Sequence, residues 1–149
     1  MYPLVLLIHS WLRWAAIVSG VAATARAATA PGSERSEKSG LLFMIMMDLQ
    51  MVVGILLYAF LSPNTAVIMQ DFGAAMRDPV ARFWAVEHVT LMVAAVVFAH
   101  LGRVLARKAA TPAAKRTRLV VCFSIATVLM LAGTPWPVIM PAGRPLFRI

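Results

Sequence analysis

Four apolar stretches dominate this chain and leave few folds open to it. A helix that crosses a bilayer needs about 20 mostly apolar residues. The stretches run from Pro3 to about Ala25, Leu41 to Leu61, about Val80 to Leu105, and Thr117 to Thr134. Hydrophobic residues make up 61% of the chain and charged residues 13%, where a soluble domain carries about 25% charge. A water-soluble globular fold is therefore excluded as an expectation, and so is a disordered chain. The single cysteine, Cys122, excludes a disulfide framework and a cysteine-held metal or iron–sulfur centre.

The local signals agree with four helices. Pro3 suits a first helical turn. Ser62-Pro63-Asn64 reads as a stop and Asp78-Pro79 as a start. Pro135-Trp136-Pro137 ends the fourth stretch and places an indole at a membrane interface. The first stretch does not read as a cleaved signal, because Met1-Tyr2-Pro3 lacks a basic lead and Arg13 interrupts the apolar run. The expectation is one all-α domain over residues 1–149, an integral membrane bundle of four up-down helices.

Lys and Arg set the orientation. One side holds nine: Arg26, Arg35, Lys38, Arg103, Arg107, Lys108, Lys115, Arg116 and Arg118. The other side holds four: Arg77, Arg82, Arg144 and Arg148. Both termini are therefore expected outside and both basic loops in the cytoplasm. This asymmetry accounts for the net charge of +8, so nucleic acid is not expected as a partner; anionic headgroups are. With short connections, sequential helices are neighbours, and the first and third segments lie on one diagonal. Ala15, Ser19, Ala23 and Ala27, at four-residue spacing, form a small-residue stripe for close helix packing.

Ionisable groups inside a bilayer cost about 2.5 kcal/mol or more near the centre, so each is a functional candidate. The spans hold His9, Arg13, Asp48, Glu87, His88 and His100, which include all three histidines of the chain. His9, Glu87 and His88 fall at one level near the outer face. Arg13 lies one turn deeper on the face of His9. Asp48 and His100 fall toward the inner side, where the two can meet. His88 and His100 are about 18 Å apart along a helix, so one small site does not hold both.

Two imidazoles at one depth on diagonal helices point to bis-histidine ligation of haem b. His9 and His88 are then the iron ligands, with Arg13 neutralising a propionate and Glu87 orienting a ring or pairing with Arg13. Three readings stay open. The first is a b-type haem protein for electron transfer, exchanging electrons with quinone. The second is a cofactor-free accessory subunit of a larger respiratory or photosynthetic complex. The third is a small proton-conducting or transport protein that uses Asp48 and His100 as a relay. No nucleophile or phosphate-binding loop is apparent, so an electron-transfer or accessory subunit is favoured over a stand-alone enzyme.

Several strings are similar to a known family. His9-Ser10-Trp11-Leu12-Arg13-Trp14 resembles the opening of small four-helix bacterial membrane proteins described as cytochrome b-like. Gln50, Gly54 and Leu57-Tyr58 resemble that family's second helix, and Ala75 to Pro79 with Trp84 to His88 and Met92 resemble the start of its third. Gly143-Arg144-Pro145 fits its C-terminal part. The resemblance implies a bacterial cytoplasmic-membrane location and a polar site at His9 and His88. It also implies a histidine two residues before Gln50, where this chain has Asp48.

Overall fold

The computed structural model describes residues 1–147; Arg148, counted above among the outer basic residues, lies outside them. Four rods make up most of the chain: Tyr2–Thr29, Glu34–Leu61, Pro79–Arg107 and Pro112–Gly133. Each is long and apolar enough to cross a membrane. Among the described residues there is no strand.

The rods extend past the apolar stretches because capping groups, and not hydropathy, decide where a helix begins. The second rod starts at Glu34, seven residues before Leu41, where the Ser33 hydroxyl accepts from the Ser36 amide at 3.2 Å. Glu34 and Glu37 in its first turn complement the helix dipole. Asp78 caps the third rod by accepting from the Ala81 amide at 2.6 Å, with Pro79 in the first turn. Thr111 caps the fourth in the same way, accepting from Ala114 at 3.1 Å ahead of Pro112. Each such cap is worth about 1 kcal/mol. The basic residues around the first and third loops thus sit largely on helix ends, within one or two turns of the apolar region.

Each rod packs mainly on its sequence neighbours, and the first also packs on the fourth. The first and third rods therefore face each other across one diagonal, and the second and fourth across the other. The first rod turns Ala16, Ser19, Ala23 and Ala27 inward. The structure exposes Ala15 and buries Ala16 in its place, a correction of one position that a 3.6-residue repeat allows over a long stripe. Close approach is required at Gly20, where an added Cβ would lie 2.6 Å from the Thr127 hydroxyl and 2.9 Å from the Phe43 ring. Phe43 and Phe123 meet edge to face across the second diagonal, with ring centres 5.4 Å apart. Outside, Val18, Val21, Val52 and Val128 are more than half exposed, an apolar belt that a soluble monomer would not carry.

The two ends of the bundle differ. At one end, Glu37 gathers Lys115 at 2.7 Å and Arg103 at 3.7 Å, and Arg103 also donates to the Glu37 carbonyl at 3.0 Å. Arg118 donates to the Leu105 carbonyl at 2.7 Å. These contacts tie the second, third and fourth rods together. The other end carries Met1 and Phe147, the first and last described residues. There the third rod is reached through two short helices, Pro63–Ile68 and Phe72–Arg77, and residues after Gly133 fold back as a strap.

The strap is held by the first rod. Leu146 offers its carbonyl to the Arg13 guanidinium at 2.5 Å and to the Trp14 indole at 3.2 Å. Phe147 stacks on Trp14 at 5.4 Å. Trp136 turns its indole inward, donating to the Leu131 carbonyl at 2.7 Å and meeting Trp14 edge on.

Candidate functional site

At the end that carries Met1 and Phe147, the four rods and the strap enclose a cavity of about 320 Å³. That volume lies at the small end of the range for ligand pockets. Its walls are mostly apolar, with Met47, Met51, Met92 and Val96 toward the bundle centre. The polar groups converge from every side: His9 and Arg13 from the first rod, Gln50 and Tyr58 from the second, Trp84 and His88 from the third, and Arg144 from the strap.

Two π-helical turns shape the mouth. The second rod ends in one at Leu57–Leu61, and the third contains one at Phe83–Glu87. A π turn widens the helix by one residue and frees backbone groups, which is why such turns gather at functional sites. The Tyr58 hydroxyl donates to the Ala85 carbonyl at 2.7 Å, joining the two turns.

His88 sits just after the second π turn. Its Nδ1 lies 2.7 Å from the carbonyl of Gly133, the last residue of the fourth rod. A carbonyl only accepts, so Nδ1 carries the hydrogen and the lone pair of the neutral ring is on Nε2. This is the arrangement in which a histidine is oriented by a carbonyl and ligates through its other nitrogen.

His9 lies across the diagonal, with its ring centre 6.4 Å from that of His88 and the rings inclined at 66°. Its nitrogen-bearing edge is turned toward the second rod. Nε2 lies 3.2 Å from the Gln50 amide nitrogen, and Cε1 is 3.1 Å from the place a Cβ on Gly54 would take. A side chain at position 54 would press on this ring. His9 Nδ1 and Gln50 Oε1 are buried without a partner, as is the Trp84 indole nitrogen. Three unpaired polar atoms around one cavity are costly unless a ligand answers them.

Arg13 and Arg144 also line the cavity. The Arg13 guanidinium is bound to the strap as described and lies 5.2 Å from the Trp14 ring centre, and Arg144 lies 5.6 Å from that of Trp84. They give the cavity two fixed cations beside an apolar interior.

The sequence-predicted residues divide as follows. His9, His88 and Arg13 come together in the cavity wall. Glu87 is not among its lining residues and does not pair with Arg13; it binds Arg82, Nε to Oε1 at 2.7 Å, and is 42% exposed. The five-residue spacing explains this. In a π turn, positions five apart stack as positions four apart do in an α-helix. Asp48 and His100 meet at 2.8 Å, on the outside of the bundle. Trp84 lines the cavity, whereas Trp14 stacks on Phe147 and Trp11 meets the same ring at a tilt of 51°. Residue type alone names neither Gln50 nor Gly133 as the partner of a histidine; their service to His9 and His88 depends on rod rotation. Gln50, Gly54, Tyr58 and Arg144 lie in strings that resemble the cytochrome b-like family, but the resemblance implied a polar site only at His9 and His88. Among the described residues no three His, Cys, Asp or Glu side chains gather to hold a bare metal ion.

A haem passes this geometry in part. Two metal–nitrogen bonds of roughly 2 Å each, with about 1 Å more from each nitrogen to its ring centre, span about 6 Å, close to the 6.4 Å between the rings. His88 presents a free nitrogen. His9 uses Nε2 on Gln50, so it ligates only by exchanging that bond or through its unpaired Nδ1. Comparison with protein-family models, curated proteins and solved structures gives no match.

Proposed function

We propose that this chain is a multi-pass membrane protein that carries electrons through a b-type haem held in the terminal-end cavity, with both termini on the outer side of a bacterial cytoplasmic membrane. The observation that carries the reading is the His9–His88 pair, 6.4 Å apart across the bundle diagonal. His88, oriented by the Gly133 carbonyl, is the nitrogen donor already in place; His9 is the second. Arg13 and Arg144 in the cavity wall suit two carboxylates. The methionine-rich inner wall excludes water from the ring and adapts to a flat occupant. When bound, the haem supplies a reversible one-electron couple, tuned by its axial nitrogens and its burial.

Three observations favour a second occupant, a quinone ring. Gln50 and His9 already form a hydrogen-bonded pair, Trp84 holds an unpaired donor, and a cavity of about 320 Å³ suits a small ring. Both readings are electron transfer at the same site. A reduced-minus-oxidised absorbance spectrum of the detergent-purified chain, made with ample haem, separates them. A Soret band that disappears in His88→Ala and persists in His100→Ala supports haem. Absence of any band, with a reducible quinone in the organic extract of the same sample, selects the second reading.

A further inference from the structure

The Asp48–His100 pair lies on the outside of the bundle, in the middle of an apolar face. The carboxylate Oδ1 and the imidazole Nε2 are 2.8 Å apart, and the side chains are 49% and 42% exposed. Helical spacing sets Ile45, Leu49 and Val52 around Asp48 on the second rod, and Val97, Leu101 and Val104 around His100 on the third. All six are exposed. Asp48 lies seven residues inside the apolar stretch that begins at Leu41, and His100 lies five residues before Leu105, so the pair falls toward the inner side of the spans, where an ionisable group facing acyl chains is still costly. The internal bond uses only one atom of each group. Asp48 keeps Oδ2 as an acceptor, and His100 keeps Nδ1 free of the internal bond.

The net-neutral form of the pair, which an apolar face favours, presents the Nδ1 hydrogen as a donor beside Oδ2 as an acceptor, an arrangement complementary to its own copy turned by half a revolution. A twofold interface is self-matching in this sense: residue i of one copy meets residue j of the other, and j meets i. We infer that the face formed by the second and third rods seats a second copy of this chain, with the two Asp48–His100 pairs closing a four-membered polar ring across the twofold axis. The six aliphatic side chains around the ring supply the packing, and the ring supplies the register, as isolated polar groups do between membrane helices. The inference rests on membrane insertion, and not on the identity of the cavity's occupant, because the pair lies outside the cavity lining.

The test uses the full chain in native membranes, with Cys122→Ala removing the natural thiol. Val97→Cys places a thiol on the proposed face, and Val128→Cys places one on the exposed side of the fourth rod. Oxidative cross-linking is expected to give a covalent dimer with Val97→Cys and at least tenfold less with Val128→Cys. Adding Asp48→Leu and His100→Leu together keeps the rods apolar and is expected to lower the Val97→Cys dimer at least tenfold. Far-UV helix content and the occupant of the cavity should stay the same in that variant. Equal cross-linking at both positions, a Val97→Cys adduct only with a different protein, or a dimer unaffected by the double leucine change overturns the inference. Release of the chain from membranes by alkaline carbonate overturns both the inference and the membrane reading. Loss of the dimer with the absorbance band retained bears on the interface alone.

Discussion

His88 donates its Nδ1 hydrogen to the carbonyl of Gly133 at 2.7 Å, joining the third rod to the last residue of the fourth. The bond fixes the ring and satisfies a carbonyl that the end of a helix leaves open. It also sets the free lone pair on Nε2. His88→Phe keeps the ring volume and removes both functions. It is expected to destabilise the bundle by about 1–2 kcal/mol through the unpaired carbonyl, with thermal melting in detergent as the readout. Any haem band should vanish in the same protein while helix content is unchanged.

Gln50 distinguishes the two occupants. Gln50→Leu removes the partner of His9 Nε2 at 3.2 Å. For a haem, the change frees that nitrogen, and the band is expected to persist. For a quinone, it removes a hydrogen-bonding group, and retention of the ring through purification is expected to fall at least tenfold, which a lost contact of about 1.4 kcal/mol produces. Spectra and extracted quinone, measured side by side, decide the matter.

Gly54 leaves room for the His9 ring. An alanine Cβ would lie 3.1 Å from Cε1 of that ring. The strain is small, and alanine favours the helix by about 1 kcal/mol, so Gly54→Ala is expected to be close to neutral. Gly54→Val adds a branch that must displace the ring, at about 1–3 kcal/mol. The expected pattern is an unchanged melting temperature for alanine and a clear drop, with loss of any haem band, for valine.

Tyr58 fastens two π turns through its bond to the Ala85 carbonyl at 2.7 Å. Tyr58→Phe is expected to cost about 1 kcal/mol, or about 3 °C of melting temperature for a chain of this size. Hydrogen exchange should quicken at residues 83–87 and not at the far end of the bundle.

The far end has its own test. Glu37 binds Lys115 and Arg103, but its side chain is 44% exposed, so solvent screens the attraction. Glu37→Gln is expected to cost no more than about 1 kcal/mol, and the loss should shrink as salt is raised. Binding at the cavity should be unaffected.

Hydropathy alone located the four rods, because runs near bilayer length are rare without that cause. Residue counting along those rods put His9 level with His88 and brought Asp48 to His100, because rise per residue converts position into depth. Depth, however, says nothing of which way a side chain turns. Glu87 precedes His88 and shares its level, yet a π turn swings it to Arg82 and out of the cavity wall. Arg13 follows His9 by one turn as spacing requires, but the partner it takes is the Leu146 carbonyl, 133 residues away. The strap, the service of Gln50 to His9 and that of Gly133 to His88 were likewise decided by packing. Apolar periodicity and basic counts are properties of one segment at a time. The rotation of each rod, and the path of the chain beyond it, minimise voids and unpaired polar groups across all four at once.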